Sequence, residues 1–431
     1  MKPAHTLADG LRHHQAGNLD QALNIYQGIV SIDPRHAQAL HLLGVLAHQQ
    51  GRHREAIEFI GRALQESGGN AVYYANRALP LYALEAYDEA AQMCERALAL
   101  DPRSQPAHIT YGAALQALGR YEDAVACYQR LIELEPSAGL AHYNLGTVHK
   151  DLGNLDAAAS AYERALALDP ESLELRASLA GVKLEQGAFE EGLALCEECL
   201  GHEAGDRLAL AYRGIALQAL GDLDSLRRLN DFERLLFQER IVPPAPWASV
   251  SQLNAALREH ILNHPSLRHE PKLQATRFGK HTGELLVEPL GPIATLEVLI
   301  KAAIDRFTRQ VAAYRDHPFV ARLPRRFRLT VWAVVMHNQG FQLPHIHADG
   351  YISGVYYARL PERVRQGSDA QGWIEFGRPP AEFPCPNPPW LKTIRPQEGA
   401  LILFPSYFYH RTIPFDSDEE RISVAFDAVP A

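Results

Sequence analysis

Residues 139–170 read GLAHYNLGTVHKDLGNLDAAASAYERALALDP, and the same order of residue classes returns every 34 residues through the N-terminal half of the chain. A glycine series keeps this step, with Glu85 as its exception: Gly17, Gly51, Gly119, Gly153, Gly187 and Gly221. A second series, of small residues only, keeps the same step: Gly10, Gly44, Ala78, Gly112, Gly146, Ala180 and Gly214. Since independent series share one period, the pattern predicts a repeated pair of helices that approach closely at the small residues.

The repeat resembles the tetratricopeptide repeat, a helix–turn–helix unit of this length. Two further series support the resemblance, one of alanines and one mostly of large or apolar residues: Ala22, Ala56, Ala90, Ala124 and Ala158; Tyr26, Ile60, Cys94, Tyr128, Tyr162 and Cys196. The resemblance implies an all-α superhelix of six to seven repeats over residues 1–230, because each unit buries its apolar face only against its neighbours. It also implies a groove that holds a protein or peptide segment.

Past about residue 230 the period is lost, and a different architecture is expected. The run from Pro243 to Trp247 contains three prolines and breaks any helix. Helical spacing of apolar residues returns at about 249–263 and 293–316, and β-branched and aromatic segments follow: 327–335, 351–360, 372–376, 400–404 and 421–426. We therefore predict an α+β chain of two domains, with residues 231–431 forming a double-stranded β-helix, or jelly-roll, with flanking helices.

The stretch PHIHAD at residues 344–349 carries three potential metal ligands. Alternate residues of an extended segment point to one side, so His345, His347 and Asp349 are expected to converge. A His-x-Asp pair with a distant histidine, here His410, matches the facial triad of non-haem Fe(II) oxygenases. We therefore predict His347, Asp349 and His410 as the catalytic, metal-binding residues, although three ligands stand in register here and only two are needed.

A carboxylate-binding group is predicted on the strand that begins at Arg421. Arg421 and Ser423 share one strand face, and a guanidinium beside a hydroxyl suits the far carboxylate of an oxo-acid co-substrate. Tyr357 or Tyr356 is expected to add a hydroxyl to that carboxylate, and strand alternation lets only one of them face inward.

The C-terminal part of the chain resembles the 2-oxoglutarate/Fe(II)-dependent oxygenases, many of which follow tetratricopeptide arrays. The resemblance rests on these residues: Trp332, Asn338, Gln342, His345, His347, Ser353–Tyr357, Gly399, Leu403–Ser406, His410 and Arg421–Ser423. It implies one Fe(II), with 2-oxoglutarate and O₂ as co-substrates, and hydroxylation of a C–H bond with release of succinate and CO₂. It also implies an alternative ligand set, namely His345, His347 and His410, in which Asp349 orients an imidazole. Asn338 and Gln342 are candidates for contacts with the substrate or with the ligand side chains.

These observations predict a dioxygenase that hydroxylates a protein or peptide recruited by the repeat array. Two alternatives stay open: an oxygenase acting on a small or carrier-bound molecule, and a non-catalytic interaction scaffold. The formal charge of −9 argues against nucleic acid as a partner. No apolar run is long enough to span a bilayer and no apolar signal core begins the chain, so a cytoplasmic location without membrane contact is expected. The oligomeric state is left open.

Overall fold

The computed structural model describes residues 6–269 and 275–431. Its contacts divide the chain into two compact units, Met1–Leu175 and Arg176–Ala431. This division falls earlier than the predicted domain boundary between residues 230 and 231, which stays a prediction of where the repeats end. None of the helices in the two described ranges combines the length and the apolar character that a membrane span requires.

The repeats form consecutive helical pairs, as the period of the sequence predicts. The described helices of the array are α1 (Leu7–Gln15), α2 (Leu19–Ile32), α3 (Ala37–Gln49), α4 (His53–Ser67), α5 (Ala71–Ala83), α6 (Tyr87–Leu100), α7 (Gln105–Ala117), α8 (Tyr121–Leu134), α9 (Gly139–Asp151), α10 (Leu155–Leu168), α11 (Leu173–Glu185), α12 (Phe189–His202) and α13 (Arg207–Leu220). This succession confirms the predicted tetratricopeptide array.

The two residue series of the repeat have different physical causes. The glycines that follow each first helix have φ between 73° and 79°, a left-handed conformation that glycine adopts without strain, and Glu85 takes the same place with φ of 60°. In the second series, a Cβ atom at Gly112 would overlap the ring of Tyr128, and one at Gly146 would overlap the ring of Tyr162. The small residue on the first helix therefore makes room for an aromatic ring on the second helix of the same repeat.

Short helices and strands follow the array. In chain order they are α14 (Leu223–Leu229), α15 (Phe232–Leu235), β1 (Phe237–Arg240), α16 (Val250–Leu262), β2 (Arg268–His269), β3 (Thr276–His281), α17 (Ile293–Val311), α18 (Pro318–Ala321), β4 (Phe327–His345), β5 (Ile352–Arg359), α19 (Glu362–Gln366), β6 (Ile374–Phe376), β7 (Lys392–Ile394), β8 (Ala400–Pro405), β9 (His410–Thr412) and β10 (Arg421–Pro430).

Every described strand pair is antiparallel, and the strands join in the order β1-β8-β5-β10-β4-β9-β6-β7, with β3 on β4 and β2 on β3. Strand β4 is long enough to change partners: its first part, up to Met336, pairs with β10, whereas Gln342 and His345 pair with β9. The sheet therefore curls around the end of β4. The predicted α+β layout is confirmed, and closure of this sheet into a jelly-roll stays a prediction.

The apolar core of the second unit contains residues of helix α13 as well as residues of the sheet. Members of this single buried cluster from the helix and from the strands include Leu210, Ala211, Leu217, Val331 and Phe404. The helix and the sheet thus exclude water from each other, which is the dominant stabilising contribution in a folded domain. The last repeat helix is therefore part of the compact unit that carries the sheet.

Candidate metal centre

Three histidines meet where strand β4 ends and strand β9 begins. His345 is the last residue of β4 and pairs in register with His410, the first residue of β9. His347 follows two residues after His345, and one ring nitrogen from each histidine lies within 4.8 Å of the others. Among the described residues, this is the group of His, Cys, Asp and Glu side chains that is compact enough to hold a metal ion.

Each of these rings has its Nδ1 atom next to a hydrogen-bond acceptor. The Nδ1 atoms of His345 and His410 lie 2.7 and 3.0 Å from the backbone carbonyl oxygen two residues earlier. The Nδ1 atom of His347 lies 2.8 Å from both carboxylate oxygens of Asp427. A neutral imidazole that donates from Nδ1 leaves the Nε2 lone pair free for a metal, which is the usual arrangement of histidine ligands.

Desolvation keeps two of the rings uncharged. It lowers the pKa of His345 to about 3 and the pKa of His410 well below its ordinary value, and the neighbouring imidazoles act in the same direction. Neutral imidazole is the form that binds metal ions. These two rings therefore need not lose a proton before they bind a cation at neutral pH.

Asp427 is a buried carboxylate that the sequence analysis did not identify. Ser353 Oγ donates to its Oδ1 atom at 2.6 Å and lies 2.8 Å from Ser406 Oγ. Asp427 lies on the same face of strand β10 as Arg421 and Ser423, and these three residues line one cavity. The alternation that predicted Arg421 and Ser423 would have found Asp427 as well, had the predicted strand extended further.

Asp349 lies apart from the three histidines. The chain turns after His347, whose carbonyl accepts a hydrogen bond from the amide of Gly350 at 3.2 Å. Asp349 is therefore exposed on a turn and does not continue the alternation of His345 and His347. It borders the cavity but is not a member of the compact group. The structure brings His345, His347 and His410 together and does not bring Asp349 into that group, and the choice of ligand set stays a prediction.

A buried guanidinium faces the same cavity, which has a volume of about 470 Å³. Arg421 is 1% exposed, and it donates from Nε to the carbonyl of Gly372 at 3.2 Å and from Nη1 to Ser423 Oγ at 3.3 Å. No carboxylate of the described residues lies within ion-pair distance of Arg421, and desolvation lowers its pKa. A buried cation without a counter-ion is costly, so this arrangement indicates an anionic ligand at Arg421.

Of the two candidate tyrosines, Tyr357 is the one that borders the cavity. The guanidinium of Arg421 lies 5.2 Å from the centre of its ring, and the buried hydroxyl of Tyr357 interacts with that guanidinium. Desolvation raises the pKa of Tyr357 to about 12, so the hydroxyl stays protonated and can donate. Tyr356 points to the other side of strand β5 and donates to Asn254 Oδ1.

The structure separates the two candidates upstream of the histidines. Gln342 borders the cavity, and its Oε1 atom accepts from Thr412 Oγ1 at 3.0 Å. Asn338 is exposed and does not line the cavity. Gln339, between them, has φ of 62°, so the regular alternation of the strand does not carry over from one residue to the other.

Two aromatic side chains form the wall of the cavity beside His347. The ring of His281 is stacked on Trp332 with centroids 6.1 Å apart, and the centroids of Trp332 and His347 lie 5.5 Å apart. His281 belongs to strand β3, which the sequence analysis did not predict. Its place at the site therefore had no signal in the sequence.

Both parts of the chain are similar to known protein families. Residues 330–427 match the model of a family described as "Putative 2OG-Fe(II) oxygenase". Residues 13–79, 112–172 and 143–209 match models of the tetratricopeptide repeat. The chain combines tetratricopeptide repeats with a C-terminal domain that matches this family over residues 330–427 and is called the oxygenase domain below for that match. A comparison with curated proteins finds no match.

Solved structures similar to the chain include two tetratricopeptide repeat proteins. One, from Parabacteroides merdae, is 18% identical over 52% of this chain and 88% of its own, with a TM-score of 0.43. The other, from Thermus thermophilus, is 25% identical over 42% of this chain and 99% of its own, with a TM-score of 0.36.

The residues of the oxygenase domain fit the cofactors that its family implies. Three grouped imidazoles, each with an acceptor beside its Nδ1 atom, suit one divalent transition-metal ion bound through Nε2, and imidazole is a good ligand for iron. Arg421 provides a buried positive charge for the far carboxylate of 2-oxoglutarate. One cavity thus holds both a metal-binding group and a carboxylate-binding group.

Proposed function

We propose that the oxygenase domain is a 2-oxoglutarate- and Fe(II)-dependent dioxygenase that hydroxylates a protein or peptide recruited by the repeat array. The observation that carries the proposal is the one cavity that is lined both by the three histidines and by a buried arginine for which the described residues supply no counter-ion. Fe(II), with 2-oxoglutarate and O₂ bound, supplies the oxidation of a C–H bond to C–OH, with release of succinate and CO₂. The protein supplies the ligands, the orientation and a partly dry pocket.

In this proposal His345, His347 and His410 hold the metal, and His347, Asp349 and His410 are the competing assignment. The first set is supported by the short distances among its ring nitrogens and by an acceptor at each Nδ1 atom. Three neutral ligands leave the full charge of the cation in place. Asp427 offsets part of that charge through its hydrogen bond with His347.

The co-substrate is proposed to bind with its far carboxylate at Arg421. Ser423 and Tyr357 add hydroxyl groups beside the guanidinium. Arg421 has donors left after its bonds to Gly372 and Ser423. A planar guanidinium can therefore bind the carboxylate through two parallel hydrogen bonds.

A polypeptide substrate is supported by the repeat array. Two first helices of the repeats, α5 and α9, expose large apolar side chains, with exposed fractions of 57% for Val72, 38% for Leu79, 37% for Tyr82 and 51% for Leu140. Exposed apolar surface on a repeat array suits the apolar side chains of an extended segment. The array would then raise the local concentration of its ligand near the oxygenase domain.

Succinate formation tests the proposed reaction. The full chain is purified without O₂, loaded with Fe(II) and 2-oxoglutarate, and exposed to O₂ together with a pool of polypeptides. Wild type should release succinate and add one oxygen atom to a subset of the polypeptides, while His410→Ala should do neither. If wild type binds neither iron nor 2-oxoglutarate, the oxygenase proposal is wrong. Succinate without any modified polypeptide would favour a small or carrier-bound substrate.

The role of Arg421 is tested by separating its effect on 2-oxoglutarate from its effect on the metal. Arg421→Ala should weaken 2-oxoglutarate binding by about a hundredfold, because it removes the charge that pairs with a buried carboxylate, and it should leave metal affinity nearly unchanged. Arg421→Lys keeps the charge but loses the planar guanidinium, so its affinity for 2-oxoglutarate should lie between those of wild type and Arg421→Ala. Equal losses of metal and 2-oxoglutarate affinity in Arg421→Ala would contradict the assignment.

A further inference from the structure

Helix α13 contacts both chain segments that carry the proposed metal ligands. At the first residue of the helix, Arg207 Nε donates to the carbonyl of Ala348 at 2.9 Å, and the guanidinium lies 5.9 Å from the ring centre of Tyr351. Only 23% of the Arg207 side chain is exposed. Ala348 directly follows His347, so this charge-assisted bond holds the turn that leaves the ligand.

The bond from Arg207 complements the backbone bonds that fix the same turn. The amide of His347 donates to the carbonyl of Ser406 at 3.1 Å, and the amide of Tyr351 donates to the carbonyl of Ala428 at 2.9 Å. These bonds tie the two ends of the turn to the sheet. The carbonyl of Ala348, between these two ends, accepts its hydrogen bond from Arg207 of helix α13.

The middle of α13 reaches the second ligand segment. Tyr409, the residue before His410, packs in an apolar cluster with Ile215 and Ala216 of the helix and with Phe383. His410 is therefore joined to α13 through the adjacent aromatic ring.

Near its C-terminal end, α13 is also bonded to the oxygenase domain. The amide nitrogen of Gln218 donates to the carbonyl of Pro388 at 2.8 Å, and its amide oxygen accepts from the amide of Trp390 at 2.9 Å. Asn387 Nδ2 donates to the carbonyl of Ala219 at 2.9 Å. Close-packed interiors transmit displacements, so α13 cannot shift without disturbing both ligand segments.

We propose that α13 is a positioning element for the three-histidine group, and that Arg207 is a positioning residue that acts on His347 through Ala348. This inference rests on the proposed metal site. Metal ligands must be held within about 0.5 Å of their working geometry, and without the Arg207 bond the turn that follows His347 loses one of its restraints. The effect falls on metal affinity and coordination geometry, and not on the site for 2-oxoglutarate.

The test uses the full chain, Co(II) as the probe, and two arginines of the same helix. Arg213 is 27% exposed and pairs with Glu197 at 2.7 Å, so Arg213→Ala removes a comparable contact that does not involve either ligand segment. Arg207→Ala should weaken Co(II) binding by about tenfold and change the visible absorption of bound Co(II). Arg207→Lys, which keeps a cationic donor, should restore part of the Co(II) affinity and part of the wild-type absorption. Arg213→Ala should match wild type in Co(II) affinity and in the absorption of bound Co(II).

Thermal unfolding of the metal-free variants separates positioning from a general loss of stability. Arg207→Ala and Arg213→Ala are expected to lower the midpoint to a similar extent, while only Arg207→Ala changes Co(II) affinity and absorption. Equal Co(II) affinity and identical spectra for the two alanine variants would overturn the inference. Failure of Arg207→Lys to restore any Co(II) affinity would also count against it. A wild-type chain that binds no Co(II) would overturn the proposed metal site as well, whereas normal binding without an Arg207 effect would overturn this inference alone.

Discussion

At the scale of single residues, the acceptor opposite each histidine Nδ1 atom distinguishes the three proposed ligands. His345 and His410 face backbone carbonyls, whereas His347 faces the carboxylate of Asp427. A carboxylate attracts the Nδ1 proton more strongly than a carbonyl does, which makes the opposite nitrogen a more basic ligand. Asp427 is itself fixed by Ser353, so the orientation of the His347 ring is set through two hydrogen bonds.

Replacing Asp427 should therefore weaken the metal site without removing a ligand. Asp427→Asn keeps the size of the side chain and a carbonyl acceptor but loses the charge, and we expect Fe(II) or Co(II) affinity to fall by about tenfold. Asp349→Asn is the matched control, because Asp349 borders the same cavity without belonging to the compact group. It should change metal affinity little. A larger loss in Asp349→Asn than in Asp427→Asn would favour the set His347, Asp349 and His410.

A second residue-scale prediction concerns acid stability of the repeats. His41 is 7% exposed and stacks on Tyr73 with centroids 4.1 Å apart, and Asn76 Nδ2 lies 2.8 Å from its Nε2 atom. Desolvation lowers its pKa from 6.5 to about 4. Between pH 6.5 and pH 4, His41 binds a proton in the unfolded chain but not in the folded chain. The free energy of unfolding is therefore unaffected by His41 above pH 6.5 and decreases as the pH falls toward 4. The loss from this residue is about 3 kcal/mol.

Urea unfolding at a series of pH values checks this prediction. Asn76→Asp places a carboxylate opposite Nε2 and should stabilise the protonated ring, so the variant should lose less stability than wild type between pH 6.5 and pH 4. Asn76→Ala serves as the control, since it removes the amide and offers no charge. Parallel pH profiles for wild type and Asn76→Asp would contradict the assignment of His41 as the acid-sensitive group.

At the scale of helices and strands, the sequence predicts best where the cause is local. The glycine series marks positive φ, and small residues such as Gly44, Gly112 and Gly146 mark contact with a large side chain of the same repeat, so each cause lies within one unit. The strand at Arg421 was also predicted with the correct alternation. The predicted segment ended at residue 426, one residue before Asp427, and so a residue beside the proposed metal site was missed.

Other features of the site depend on contacts that no short stretch of sequence records. The convergence of His345, His347 and Asp349 was predicted for an extended chain, and the turn closed by Gly350 breaks that geometry. Arg207 and Ala348 lie 141 residues apart. Neither the period of the repeats nor the alternation of the strands predicts such a bond.

The position of Glu85 gives a prediction for a single repeat. A left-handed conformation costs an L-residue about 1–2 kcal/mol, and glycine avoids this cost. Glycine also loses more conformational entropy on folding, which offsets about 0.5–1 kcal/mol of the gain. Glu85→Gly should therefore raise the free energy of unfolding by about 0.5–1 kcal/mol, as a shift of the urea midpoint. Glu85→Ala should give no such gain, since it keeps the Cβ atom. Gly119→Ala, at the equivalent place with φ of 74° and open space around it, should lower stability by about 1 kcal/mol.

At the scale of the whole molecule, the compact unit that carries the sheet also contains the last repeat helix, whereas the predicted domain boundary lies after that helix. Leu210 and Leu217 of α13 belong to the same buried cluster as the strands. Burial of two leucine side chains contributes about 3–6 kcal/mol, which is a large share of the total stability of a domain, about 5–15 kcal/mol. Removal of α13 would also take away the donor to Ala348 and the helix that packs on Tyr409.

Two fragments test this argument and, with it, the predicted boundary between residues 230 and 231. Residues 172–431 keep helices α11 to α13 and should unfold in one cooperative transition and bind Co(II) as the full chain does. Residues 231–431 lack these helices, so we expect an apolar surface that aggregates, no sharp transition, and Co(II) affinity lowered by at least about tenfold. Circular dichroism on heating and Co(II) titration measure both properties. Cooperative unfolding of residues 231–431 at the same midpoint, with unchanged Co(II) affinity, would show that the sheet needs no repeat helix and that the sequence boundary is the physical one.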